Sequence, residues 1–209
     1  MSFNEIIEHL QARLSQPLPG LTAHLRMASE SRLRWLMEGM DPSRAKKSGV
    51  LILMYPVGKD THIVLIQRPD YEGMHGGQVS LPGGKREESD ATLVETALRE
   101  TQEELGVPPH TITVIGTLSE LYIPPSNYLV LPVVGFTSVR PVFFPDPVEV
   151  EKIIEIGIGQ LSDPGFKTVK EIKVHGYTLS APCYIVNGAT IWGATAMILA
   201  ELEQVIRSR

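Results

Sequence analysis

With a single cysteine, Cys183, the 209-residue chain has no internal disulfide to form. Its stability must come from packing, and a reducing compartment is the expected setting. Cys183 has no His or Asp close by in sequence and reads as a buried structural thiol. Basic residues do not dominate either: 19 Lys and Arg stand against 24 Asp and Glu, a formal net charge of −5. That balance argues against general affinity for a nucleic-acid backbone, which rewards clustered Lys and Arg. A small anionic substrate stays compatible with it, through a locally basic pocket or a metal. No apolar run approaches the ~20 residues of a membrane span. Met1-Ser-Phe-Asn-Glu5 carries no basic stretch leading into an apolar core, so no signal peptide is read there and a cytoplasmic location is expected. Internal repeats and low-complexity segments are also missing.

What is present is ordinary for a globular enzyme-sized domain: 43% hydrophobic and 21% charged residues. A chain of this length buries roughly 70% of its unfolded surface without covalent staples. Phe3, Ile6, Ile7, Leu10 and Leu14 fall at helical spacing, and Gln16-Pro-Leu-Pro-Gly20 stops that helix. A second short helix is expected over 30–40, with Leu33, Leu36, Met37 and Met40 on one side. From 49 the period changes. Val50–Tyr55 and His62–Ile66 are branched, apolar runs around Pro56-Val-Gly-Lys-Asp60, which predicts a strand, a turn and a strand. A glycine-dense loop, Gly73–Gly77, leads through Val79–Gly84 to a helix at about 91–105. Its core stripe is Val94, Ala97, Leu98, Thr101 and Leu105, and Gly106 with Pro108 ends it. Strand-like runs follow at 111–118, 128–137, 152–158 and around 168–178, then an amphipathic helix at roughly 190–207.

The chemistry concentrates at Arg99-Glu-Thr-Gln-Glu-Glu-Leu-Gly-Val107. Residues three and four apart on a helix are neighbours, so Glu100 sits beside Glu103 and Glu104 while the core stripe faces elsewhere. Like charges at these spacings cost about 0.2–0.5 kcal/mol each, and Arg99, four residues from both Glu95 and Glu103, offsets part of that. The result is a patch of carboxylate oxygens suited to a hard ion such as Mg²⁺ or Mn²⁺. Taken alone, a Glu-rich face is as readily a solvated surface. The preceding Leu81-Pro-Gly-Gly-Lys85 loop can bring backbone N–H groups to an anion. Asp90, on composition alone, is a helix N-cap.

Gly84, Asp90, Arg99-Glu100, Glu103-Glu104 and Gly106 together resemble the box of the Nudix hydrolases, G-x5-E-x7-R-E-U-x-E-E-x-G-U with U aliphatic. Asp90 stands where the family has Glu, eight residues rather than seven separate it from Arg99, and Thr101 replaces the aliphatic. The resemblance implies an α/β/α sandwich with a mixed sheet and a loop-helix-loop metal site. It implies a Nudix domain over 48–209, preceded by a helical extension over 1–47. It implies Glu100, Glu103 and Glu104 as ligands of Mg²⁺ or Mn²⁺, with Arg99 and Glu103 as the catalytic pair, Arg99 fixing the glutamates. The identity of the general base stays open, as does the oligomeric state, a homodimer among the options.

Upstream, Leu65-Ile-Gln-Arg68 and His75-Gly-Gly-Gln-Val-Ser-Leu-Pro-Gly-Gly84 are similar to the added signature of the coenzyme A diphosphatases, L-L-T-x-R-[SA]-x3-R-x3-G-x3-F-P-G-G. Pro69, Gly73 and Leu81 depart from it, Gly73 at the second arginine. Ile123–Pro132 and Ile191-Trp-Gly-Ala-Thr-Ala196 also resemble that subfamily. The likeness implies a coenzyme A-like substrate held by Arg68, Gln78, Gly83 and Gly84, with 3′,5′-ADP and 4′-phosphopantetheine as products. Arg86 is a second base that could take the missing arginine's place, and Trp192 reads as a core residue at the start of the last helix. Another nucleotide, ADP-ribose or a nucleoside triphosphate, is the alternative within the family. A catalytically silent nucleotide-binding module is the alternative of a different class, and the retention of Arg99 and all three glutamates weighs against it.

Overall fold

A computed structural model describes residues 1–39, 41–70, 76–174 and 176–208. Met40, Gly73 and His75, which figure in the sequence reading, lie outside them. The chain runs α1 (Phe3–Leu14), α2 (Leu21–His24), α3 (Glu30–Glu38), β1 (Lys46–Val57), β2 (Asp60–Gln67), β3 (Val79–Ser80), β4 (Gly83–Lys85) and α4 (Leu93–Leu105). It continues with β5 (Thr113–Thr117), β6 (Leu121–Ile123), β7 (Tyr128–Phe136), β8 (Lys152–Gly157), α5 (Ile158–Ser162), β9 (Lys167–Val174), β10 (Tyr177–Val186), β11 (Ala189–Trp192) and α6 (Gly193–Arg207).

Strand β1 is the axis of the mixed sheet. It pairs antiparallel with β2 and β4 and parallel with β7, while β8 extends β2, and β5 and β6 extend β7. Successive side chains of a strand point to opposite faces, and β1 and β2 are apolar on both. Ile52, Met54, Ile63 and Leu65 enter one core with residues of α1 and α6. Leu51, Leu53, Tyr55, Val64 and Ile66 enter a second core with Ala97 and Leu105 of α4. The sheet therefore lies between α1 with α6 and α4: an α/β/α sandwich with a mixed sheet, as the family resemblance implied. Helix α1 begins at a capping box in which Ser2 and Glu5 satisfy each other's backbone N–H groups. Its Ile6, Ile7 and Leu10 belong to the same core as the sheet, so the extension is packed into the domain rather than tethered beside it. Cys183 is fully buried.

The strand-like region expected around 168–178 is an antiparallel pair, β9 and β10, the second running on to Val186, and two further elements differ from the sequence reading. The last helix starts at Gly193, and Ala189–Trp192 is a strand that hairpins onto β10. Asn187 and Gly188 both have positive φ at that turn, the backbone a tight hairpin requires. Trp192 is thus the end of a strand and the helix N-cap. Helix α3 is also rotated from its expected apolar stripe: Leu33 and Met37 are exposed, and the buried residue is Arg32, which donates 2.6 Å to the Tyr122 carbonyl. The helix thus presents a charged residue to the Tyr122 carbonyl and leaves Leu33 and Met37 at the surface.

Candidate metal and diphosphate site

The site is built where β4, α4 and the segment before β8 meet. Gly83 and Gly84 pair with Val50 and Gly49 of β1, so the loop entering the helix is itself sheet. Gly83 is required by backbone contact and conformation, whereas Gly84 leaves room for a side-chain carboxylate. Gly83 has φ +144° and packs on Gly49 and Val50, and a Cβ on Gly84 would collide with the Glu100 carboxylate. Ser48 locks the turn by donating 2.6 Å to the Gly84 carbonyl.

Helix α4 is capped by Thr92, whose Oγ accepts from the Glu95 N–H. Asp90 is therefore not the N-cap. It is buried and accepts from Arg99 through both oxygens (3.0 and 3.1 Å), from Thr96 Oγ1 (2.9 Å) and from the Glu87 N–H (2.9 Å). Arg99, with Thr96 and the Glu87 N–H, holds the Asp90 carboxyl well below the usual carboxylate range against the opposing effect of burial. The same guanidinium reaches Glu100 Oε1 (3.0 Å), Glu103 Oε2 (2.8 Å) and the Lys85 carbonyl (3.1 Å). Arg99 thereby fixes the acidic face of the helix to the loop before it.

The carboxylates do not share one environment. Glu104 is completely buried, on the same side as Ala97, Thr101 and Leu105, so one side of the supposed solvent face belongs to the core. Its Oε2 accepts from the Gly83 N–H (2.8 Å) and its Oε1 from Arg68 (3.0 Å). Burial pushes its pKa up to about 8, with Glu100 and Glu149 adding to the rise, and Arg68 and the Gly83 N–H only partly opposing it. Burial also raises Glu100, opposed by Arg99. Glu103, by contrast, is turned to Arg99 with its side chain 55% exposed.

Among the described residues one acidic group has the geometry of an ion site: Glu100, Glu104 and Glu149 each offer an oxygen within 4.8 Å of the others. Sequence reading missed Glu149. It lies in an irregular segment far from the helix, with no periodicity to mark it. The segment is brought in because the last carbonyls of a helix have no partner within it. Phe144 N–H donates 2.8 Å to the Leu105 carbonyl and Asp146 N–H 3.0 Å to that of Glu104. Asp146 then closes a turn that leaves Glu149 facing the helix, with Val150 buried in the second core.

The predicted substrate residues flank this group. The Arg68 N–H donates to the Gln78 carbonyl (3.0 Å), Gln67 pairs with Val79, and Arg68 also reaches the Gly83 carbonyl (3.3 Å). Thr195, from the second subfamily-like segment, donates to the Val79 carbonyl (3.1 Å), which puts the start of α6 beside that strand. Arg86 is occupied in bracing the carbonyls of Asp90 and Ala91.

Residues 45–178 match the NUDIX domain family profile. The chain belongs to the Nudix family. Over 205 residues it is 29% identical to the uncharacterized Nudix hydrolase NudL of Yersinia pestis (strain Pestoides F), covering 97% of this chain and 94% of that protein. The figures are the same for the protein of that name from Yersinia pseudotuberculosis serotype O:1b. Among solved structures, a Nudix hydrolase from M. smegmatis, RenU, overlaps 58% of this chain and 79% of its own at 23% identity and a TM-score of 0.48. The protein is a Nudix hydrolase, and its Nudix box is the loop and helix just described. No helix among the described residues is long and apolar enough to cross a membrane.

Proposed function

We propose that this Nudix hydrolase cleaves the diphosphate of coenzyme A or its thioesters, releasing 3′,5′-ADP and 4′-phosphopantetheine, and that it does so in the cytoplasm. The observation that carries the hydrolytic part is the convergence of Glu100, Glu104 and Glu149 beside the Gly83–Gly84 turn. An all-oxygen, all-carboxylate donor set fits Mg²⁺ or Mn²⁺. When bound, such an ion neutralises the diphosphate oxygens and activates water for attack.

The chain's own residues do the rest. Glu100 and Glu104 would grip the ion from adjacent turns of one helix, and Glu149 from across the cleft. Arg99 is a positioning residue: clamped by Asp90, it fixes Glu100 and Glu103 relative to the loop. Glu103, the most exposed of the box carboxylates, would orient the attacking water at the rim and take part in its deprotonation. Gln78, with Gly83 and Gly84, would line the approach of the diphosphate, the glycines leaving no side chain between it and the ligands. The coenzyme A assignment rests on the signature around Arg68 and Gly77–Gly84 and on its coherence in space with the box.

The test is product identity. Purified protein with Mg²⁺ or Mn²⁺ should convert coenzyme A to 3′,5′-ADP and 4′-phosphopantetheine faster than it hydrolyses ADP-ribose or nucleoside triphosphates, and a chelator should stop it. Faster turnover of ADP-ribose or a triphosphate would replace the substrate and leave the site intact. Chelator-resistant hydrolysis would remove the metal mechanism.

A further inference from the structure

We infer that Arg68 is a positioning residue for the metal ligand Glu104, acting through that carboxylate rather than by reading a phosphate of the substrate. The inference rests on the metal reading above and assigns a new part within it. Glu104 has no solvent contact, so the protein alone sets where its two oxygens point. One oxygen is fixed by the Gly83 backbone N–H at 2.8 Å and the other by Arg68 Nη2 at 3.0 Å. The same Nη2 lies 3.3 Å from the Gly83 carbonyl. A three-member ring results in which Gly83 donates to Glu104, Arg68 donates to Glu104, and Arg68 donates back to Gly83.

That ring has a directional consequence. A carboxylate oxygen accepts more than one partner, so each oxygen of Glu104 keeps a lone pair for an ion after its hydrogen bond is made. The two donors fix which lone pair that is. They also tie the ligand to the Gly83–Gly84 turn, so that ligand and diphosphate-facing backbone keep one geometry. Arg68 itself is held where β2 ends, its N–H bonded to the Gln78 carbonyl, and its side chain is only one quarter exposed. A side chain recruited to read substrate phosphate would present its fork to the cleft; here the Nη2 end of the fork is spent on the protein. Partners that orient a ligand in this way are worth about ten- to a hundredfold in metal affinity.

The experiment is Mn²⁺ binding to substrate-free protein, read by the loss of the free-ion electron paramagnetic resonance signal, for the wild type, Arg68→Ala, Arg68→Lys, Glu104→Gln and the Arg68→Ala/Glu104→Gln pair. Calorimetry on each confirms folding. Arg68→Ala should weaken Mn²⁺ binding at least tenfold. The KM for coenzyme A, measured at saturating metal, should change less than threefold, and Arg68→Lys should recover part of the affinity. In the Glu104→Gln background, Arg68→Ala should add little further loss. Unchanged Mn²⁺ affinity in Arg68→Ala, a loss confined to KM, or full additivity with Glu104→Gln overturns the inference. Should Arg68→Ala fail to fold, Arg68→Lys decides: wild-type affinity and an elevated KM there overturn it equally. A wild type that binds no Mn²⁺ overturns the metal reading and this inference together, whereas Mn²⁺ binding without coenzyme A hydrolysis removes only the substrate assignment.

Discussion

Glu104 on α4 and Glu201 on α6 are both glutamates with no exposed surface, and the protein treats them in opposite ways. Around Glu201 every acceptor is met. His24 Nε2 lies 2.9 Å away, Ser119 donates through Oγ (2.6 Å) and N–H (3.2 Å), and the Gly20 N–H donates at 2.9 Å. Burial alone would raise its pKa, but His24, Ser119 and Gly20 more than offset it, and the carboxyl stays below its ordinary value. Around Glu104 two donors fall short of the desolvation and of the charges on Glu100 and Glu149, and the carboxyl is pushed up to about 8. A buried charge without full compensation is costly. The protein keeps one where an external cation would complete it, and completes the other from within. Glu201 is a fastening between the amino-terminal extension and α6, while Glu104 belongs to the acidic group proposed above to hold an ion.

The comparison breaks most sharply through stability. Glu201→Ala leaves His24, Ser119 and Gly20 unpaired in the interior, and denaturant unfolding should show a loss of about 3–5 kcal/mol. Glu104→Gln, measured the same way in chelator, should unfold no more easily than the wild type. If both lose equally, the two sites are alike and the distinction is wrong.

The next effect is on turnover. Glu104→Gln removes a charge from the ligand set at constant shape. It should lower kcat by about a hundredfold or more, of the order of losing a positioned catalytic group. The conservative Glu201→Gln, once folded, should keep kcat near that of the wild type. A Glu104→Gln enzyme of normal rate would sharpen nothing and end the metal argument.

The smallest effect is on the pH dependence of melting in chelator. Glu104 is harder to ionise folded than unfolded, so its contribution is present below about 4.5 and lost as pH rises through about 8. Calorimetry should therefore find wild-type Tm falling relative to Glu104→Gln across that window, with Mg²⁺ or Mn²⁺ closing the gap. Glu201, lowered by its partners, runs the other way. Its contribution is present above about 4.5 and lost as pH drops through the lowered value, so the margin of wild type over Glu201→Ala should shrink in acid. A gap at Glu104 that widened toward low pH would reverse the assignment.

Much of this was open to reading in the residues, and the failures have physical causes. The spacing of Phe3, Ile6, Ile7, Leu10 and Leu14 marks α1 because a helix that packs on a sheet must show one apolar face. The branched runs of β1 and β2 mark a strand pair, and the Nudix box is legible because its parts lie in a single loop and helix. Burial of Glu104 was not legible, since periodicity placed it with the charged face and only the fold puts a core under it. Glu149 was hidden because it reaches the helix through backbone bonds from Phe144 and Asp146, which leave no mark on side-chain pattern. The β10–β11 hairpin was missed through the short Thr190-Ile-Trp192 run, which a helix start and a strand share. The Asn187-Gly188 pair was the signal that separates them.

The bond from the Asp146 N–H to the Glu104 carbonyl has a consequence for how the protein comes to be active. It closes a long stretch of chain that contains β5, β6 and β7. Ordering such a loop costs entropy that local contacts do not repay. A partly folded chain can hold the box helix yet lack Glu149, so the proposed ion site is complete only in the finished molecule. A ligand selective for the native state draws the folding equilibrium toward it by mass action. The ion that serves the reaction would then also act as a proofreader of the fold, and cells starved of it should accumulate less of this protein, not merely a less active one.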